Sequence, residues 1–181
     1  MALRPVLQFP DKRLRQVSLP IRQVTEALRE LARDMLEVIY DEPGIGLAAP
    51  QLGEPVRLIV VDTTWSEEGA EKSPLVLVNP ELHEPEGSIV WSEGCLSVPE
   101  FQAEVERAER VRLTATDLEG MPVEIRASGL QAVCFQHEVD HLDGMLFIDR
   151  ISRLKRSLYV QRRRKQLRRD AEEEAGPASL V

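Results

Sequence analysis

The sequence predicts a single α+β domain with antiparallel or mixed sheets packed around a central helix, and three observations carry that reading. Apolar residues recur at helical spacing near the N-terminus and again after residue 128. Runs of β-type residues fill the middle of the chain. No internal repeat or Pro/Gly-rich linker divides the 181 residues. At this length a chain buries well over half of the surface that it exposes when unfolded, so a site inside a closed core is feasible.

Between Thr25 and Tyr40, Leu28, Leu31, Met35 and Val38 recur at spacings of three and four, which predicts an amphipathic helix with Thr25 as its N-cap. Pro43 disfavours helical geometry at Glu42, and Gly44 opens a loop running to about Gly53. Residues 56–62 and 74–79 are dense in Val, Ile and Leu and read as strands, joined by a polar loop over 65–73. Residues 111–115 and 123–127 alternate apolar with polar on either side of Asp117-Leu118-Glu119-Gly120, a hairpin pattern. Ser128 and Gln131 form a capping-box signature for a second helix over 129–143, which closes at Gly144. Ile151, Leu154 and Leu158 continue a helical period whose first turns should pack and whose remainder should protrude. The domain is therefore read as residues 1–169, with 150–169 a basic helix and 170–181 a flexible tail.

The formal net charge of −8 hides an asymmetry. Ten of the 23 basic residues fall between Arg150 and Arg169, leaving 13 basic against 31 acidic residues elsewhere, a balance of −18. Such a stripe either meets an anionic partner such as nucleic acid or is simply a solvated helical face. An aromatic content of 4% argues against a base-stacking platform. Neither the apolar run of a signal peptide nor a membrane-spanning stretch occurs, so a cytoplasmic protein without membrane attachment is expected. Two cysteines, Cys95 and Cys134, exclude a disulfide scaffold, although one bridge stays open, and favour a metal or a reactive thiol.

His137-Glu138-Val139-Asp140-His141 falls within the second helix, where positions four apart share a face and can point two imidazoles at one ion. Catalytic metal sites commonly use three protein ligands and leave a fourth position for water. Cys134 shares the helix face, but positions 134, 137 and 141 span about 10 Å of axis, too far for bonds of about 2.1 to 2.3 Å. Cys95, in Glu93-Gly94-Cys95-Leu96-Ser97-Val98-Pro99, is the better third ligand; Gly94 allows close approach and Pro99 is expected to end any strand. A thiolate with two imidazoles suits zinc or ferrous iron. Glu138 can take a proton from water and return it to a leaving amine. In the loop Gly44-Ile45-Gly46-Leu47-Ala48-Ala49-Pro50-Gln51, small residues let the backbone approach a peptide, and Gln51 could present an N–H to a developing oxyanion.

These three segments closely resemble the bacterial peptide deformylase family, which removes the formyl group from the N-terminal methionine of new polypeptides. Gly-x-Gly-x-Ala-Ala-x-Gln matches residues 44–51, Glu-Gly-Cys-x-Ser matches 93–97 and His-Glu-x-x-His matches 137–141, in the family's order. The similarity runs from Phe9-Pro10-Asp11 to the helix after Gly144. The resemblance implies one divalent metal on Cys95, His137 and His141, natively Fe2+, with zinc, nickel or cobalt able to occupy the site. It implies that Gln51 and the Leu96 backbone N–H hold the oxyanion and that Glu138 protonates the departing amine. A methionine pocket is implied around Ile45, Leu130, Val133 and Cys134, with Gly44 and Gly46 beside the peptide and Glu93 paired with Arg107 at the substrate site. The implied partners are N-formylmethionyl nascent peptides and, through the basic helix, the ribosome; a monomer is expected. Two rivals stay open: a zincin-type endopeptidase, which would take a later Glu or His as its third ligand, and a non-catalytic metal-binding or ribosome-associated module. No histidine follows His141.

Overall fold

A computed structural model describes residues 3–42, 44–65 and 71–174. Helix α1, Glu26–Asp41, buries Leu28, Leu31, Met35 and Val38 as the spacing requires, and the Thr25 hydroxyl accepts from Leu28 N at 3.3 Å. The chain leaves helical geometry at Glu42. Pro43, to which that break was assigned, lies outside the described residues.

The segment expected to be a loop instead holds strand β1, Gly46–Ala48, and a 3-10 turn, Ala49–Leu52. Strand β2, Leu58–Val61, is buried throughout, and β3 covers Leu75–Glu86. β3 outruns the predicted end at Asn79 because the ladder skips rather than stops there. Asn79 adopts φ +51° and the register shifts between Val78 and Glu81, which accommodates the missing N–H of Pro80. The predicted hairpin is β6, Arg110–Thr116, with β7, Pro122–Ser128. Together they form one antiparallel sheet in the order β1-β2-β3-β6-β7.

A separate two-stranded sheet pairs β4, Ile89–Cys95, with β5, Val98–Arg107, and no sequence reading anticipated it. Pro99 does not end a strand but is the second residue of β5. The two-stranded sheet leaves one side of β5 without a partner, where the missing N–H need cost no ladder bond.

Helix α2, Gly129–Leu142, is buried on most of its circumference although it carries Glu138, Asp140 and His141 there, and Phe135 and Leu142 are wholly enclosed. Ser128 takes the N-cap position, but its hydroxyl makes no capping bond, so the expected capping box does not form. Gly144 ends the helix at φ +73°, where a Cβ would lie 2.6 Å from the Arg15 carbonyl oxygen.

Helix α3, Arg153–Glu174, runs five residues past the expected boundary at Arg169; residues 175–181 lie outside the described part. Leu154 and Leu158, expected to pack, are 70% and 58% exposed. The helix docks instead through Tyr159, stacked on Phe101 at 4.6 Å, and through Arg163, which donates to the Gln8 side chain and the Phe9 carbonyl. Long side chains with polar ends here do what aliphatic ones were expected to do.

A turn over Phe147–Asp149 joins α2 to α3, and Asp149 anchors it by accepting from Arg15 and from Leu146 N at 2.9 Å and by pairing with the Arg156 guanidinium at 3.0 Å. Burial alone would raise this carboxyl, but the Arg15 and Leu146 hydrogen bonds hold it below its ordinary value of 3.8. A depressed folded pKa means stabilisation that is complete above the unfolded value and lost as pH falls through the folded one. Asp149→Asn is expected to cost about 1–3 kcal/mol at neutral pH in urea unfolding. The gap from the parent protein should close as pH drops below 3.8; a gap independent of pH would mean that the charge is not what stabilises.

Candidate active site

Cys95 closes β4 where the β4–β5 register breaks, which brings its thiol over α2. His137 and His141, one turn apart on α2, hold their ring centroids 5.0 Å from each other. Cys95 Sγ lies 3.3 Å from His141 Nε2, and one donor atom from each of the three residues lies within 4.8 Å of the other two. Tetrahedral bonds of the usual length put donor atoms about 3.4 to 3.8 Å apart, so the group fits a single ion. Among the described residues it is the one His/Cys/carboxylate cluster of this kind.

The imidazoles are prepared for that role. His137 Nδ1 lies 2.8 Å from Glu93 Oε2, which leaves Nε2 for a metal. Burial holds His141 well below its usual pKa and hence in the neutral form that ligates metals. Glu93 is itself clamped by Arg107, whose Nε and Nη2 donate to its two oxygens at 2.7 and 2.9 Å. Burial would raise Glu93, yet Arg107 and His137 outweigh it and bring the carboxyl down to about 2. Arg107 Nη1 also donates to Asp140 at 2.6 Å, and Arg150 holds Asp140 from the other side with two bonds of 2.5 Å. A chain of alternating charge thus backs His137 from β4, β5, α2 and the start of the basic segment.

Glu138 faces the opposite way. It is 4% exposed, and its Oε2 is buried without a hydrogen-bond partner among the described residues. Burial, opposed by the nearby His137, pushes its carboxyl up to about 7. Gly46 is needed beside it, since a Cβ there would lie 2.6 Å from Glu138 Oε1 and 2.8 Å from Cys134 Sγ. Gln51 is no exposed loop glutamine: it is 2% exposed, and its Oε1 accepts from Ala48 N at 2.8 Å. That bond aims Nε2 at Ser97 Oγ, 3.1 Å away, and toward Cys95 Sγ at 3.6 Å.

A cavity of about 920 Å³ opens over these groups. Of the residues singled out from sequence, Gly44, Ile45, Gly46, Gln51, Glu93, Cys95, Leu96, Leu130, Val133, Cys134, His137 and Glu138 all line it. His141 lies directly beneath, in reach of Cys95. Arg107 does not line it. The Arg107 side chain, 1% exposed, is buried behind His137, and both Glu93 oxygens are engaged by Arg107 and His137. The expected Glu93–Arg107 pair therefore forms, with Glu93 at the cavity wall against His137 and Arg107 behind it. Sequence reasoning missed Ser97, Asp140, Arg150 and the cavity walls Trp91, Phe101 and Gln102. Ser97 and Asp140 sat inside motifs already singled out, whereas nothing in the pattern pointed to the walls.

A thiol and two imidazoles arranged for one ion, beside a buried carboxyl poised near neutrality and an amide aimed at the same point, define a metal-dependent hydrolase for an amide-like carbonyl. The polypeptide deformylase family model matches residues 3–157. A peptide deformylase of Alkalilimnicola ehrlichii is 55% identical over 156 residues, 86% of each chain, and one of Rhodopseudomonas palustris is 49% identical over 93% of this chain and 97% of its own. The crystal structure of a peptide deformylase from Legionella pneumophila superposes with a TM-score of 0.84 at 42% identity, covering 97% of this chain and 99% of that one. The chain belongs to the polypeptide deformylase family. Its reaction is removal of the N-formyl group from the N-terminal formylmethionine of newly synthesised polypeptides, with release of formate. No helix among the described residues is long and apolar enough to cross a membrane.

Proposed function

We propose that Cys95, His137 and His141 hold one divalent ion, Fe2+ in the cell with zinc, nickel or cobalt able to replace it, and that Glu138, Gln51 and Leu96 carry the deformylation around it. The observation that supports this reading is the convergence of three donor atoms within 4.8 Å, beside a buried carboxylate oxygen without a partner among the described residues, under a cavity of about 920 Å³. The donor set is too soft for magnesium or calcium and suits ferrous iron or zinc. Such an ion, when bound, acidifies water and polarises the formyl carbonyl.

Glu138 takes the proton of the attacking water at Oε2 and hands it to the amine as the C–N bond breaks; a carboxyl near pH 7 does both at small cost. Gln51 Nε2, with its orientation set by Ala48, and the Leu96 backbone N–H donate to the oxygen that gains charge. Ile45, Leu130, Val133 and Cys134 enclose the methionine side chain, and Gly44 and Gly46 present main chain to the peptide. Glu93 and Arg107 keep His137 in register. Helix α3 exposes Arg153, Lys155, Arg156, Arg164, Lys165, Arg168 and Arg169, a surface suited to ribosomal RNA beside a nascent chain. The reading places the protein in the cytoplasm as a monomer.

Anaerobic purification with elemental analysis, followed by assay of formate release from a formyl-Met peptide beside cleavage of an internal peptide bond, tests the proposal. Stoichiometric iron and formate release alone are expected, with activity abolished by a chelator and restored by Fe2+. Internal cleavage without formate, or undiminished formate release after complete chelation, would overturn it.

A further inference from the structure

Gly44 and Ile45 precede β1, the edge strand of the large sheet, and both line the cavity; Ile45 is tied to the ladder by one bond beyond the Gly46–Val61 pair, whereas Gly44 lies outside it. The segment Asp62–Trp65, outside the cavity, fixes them. Trp65 Nε1 donates to the Gly44 carbonyl at 2.8 Å, and Asp62 N donates to the Ile45 carbonyl at 2.9 Å. Two consecutive carbonyls are thereby held, and Cys134 Sγ adds a weak third contact at the Ile45 oxygen, 3.7 Å away. The brace is anchored in turn. Tyr40 of α1 meets the Trp65 ring edge-on at 5.4 Å and donates its hydroxyl to Asp62 Oδ2 at 2.8 Å. Asp62 Oδ1 accepts from Thr64 N, Thr64 Oγ1 and Trp65 N, and Lys72 caps the outer face of Tyr40 at 3.8 Å.

We infer that Trp65 is a positioning residue which sets the place of Gly44 and Ile45 and thereby the affinity for the formyl-Met peptide, without touching it. The inference rests on the reading that Ile45 lines the methionine pocket. Gly44 has wide backbone freedom, so an unpinned carbonyl there lets Ile45 drift. Gly46, packed against Glu138, cannot follow it without pressing on the carboxylate. A loose approach to β1 therefore enlarges the pocket while the metal ligands, held by β4 and α2, stay in place.

The test uses the metal-loaded full chain, with formate release from a formyl-Met-Ala-Ser peptide as readout and Tm and metal content measured alongside. Trp65→Phe keeps a ring on Tyr40 but removes the N–H. It is expected to raise KM about three- to tenfold, the change that one hydrogen bond of ordinary net strength is worth, with kcat and metal content unchanged. Ile45→Ala is expected to raise KM about tenfold through lost pocket contacts. If Ile45→Ala raises KM and Trp65→Phe does not, the brace is refuted and the pocket reading stands. Should neither variant change KM, the pocket reading itself fails. A lower Tm with constant KM in Trp65→Phe, or a loss of kcat or metal at constant KM, would also overturn the inference, because the ring would then serve only the fold.

Discussion

Glu138→Gln is expected to lower kcat by about 10²–10⁴-fold or more while metal content stays at that of the parent protein. The substitution removes the proton carrier and leaves Cys95, His137 and His141 untouched. It also has an expected sign on stability. Oε2 is buried without a partner among the described residues and burial pushes the carboxyl up to about 7, so the fold does not stabilise the ionised group. A neutral amide of the same shape should leave Tm equal to or above that of the parent protein, as at other sites where function is kept at the expense of stability. Formate release, elemental analysis and thermal unfolding on one preparation check all three. Full turnover in Glu138→Gln would remove this residue from the chemistry, and loss of metal would make it a structural support instead.

Arg107→Met should have the largest effect on the fold. Arg107 alone bridges Glu93 and Asp140, and truncation leaves Glu93 without its strongest partner in a dry interior. A loss of about 3–5 kcal/mol is expected in denaturant unfolding. Because Glu93 also orients His137, metal affinity should fall by about 10–100-fold in titrations under native conditions. Adding Glu93→Gln to the same chain should recover part of the stability, since an uncompensated charge is removed, but not the affinity. A single variant within about 0.5 kcal/mol of the parent protein, the range of ordinary surface changes, would mean that the pair is not what holds β4 and β5 to α2.

The parts that sequence reveals are those governed by short-range rules. Spacings of three and four located α1 within a residue of its ends, and alternation located β6 and β7. The hairpin β4–β5 escaped because its alternating positions are not all apolar: Glu93 and Arg107 point inward beside Trp91 and Val105 and break the hydrophobic period that marks a strand. Helix α3 was misjudged for a related reason. Its docking face is Tyr159 and Arg163, whereas the aliphatic period of Leu154 and Leu158 lies in solvent.

By itself the sequence determined the two imidazoles four positions apart, the glutamate between them and the choice of Cys95 over Cys134, because helical rise alone limits which donors can share an ion. Only the tertiary structure decided that Gln51 is buried and aimed at the thiol, that Arg107 clamps Glu93 behind His137, and that Trp65 donates to the Gly44 carbonyl. These depend on contacts between residues from 14 to 44 positions apart, whose partners are chosen by packing of separate elements and leave no periodic trace in the chain.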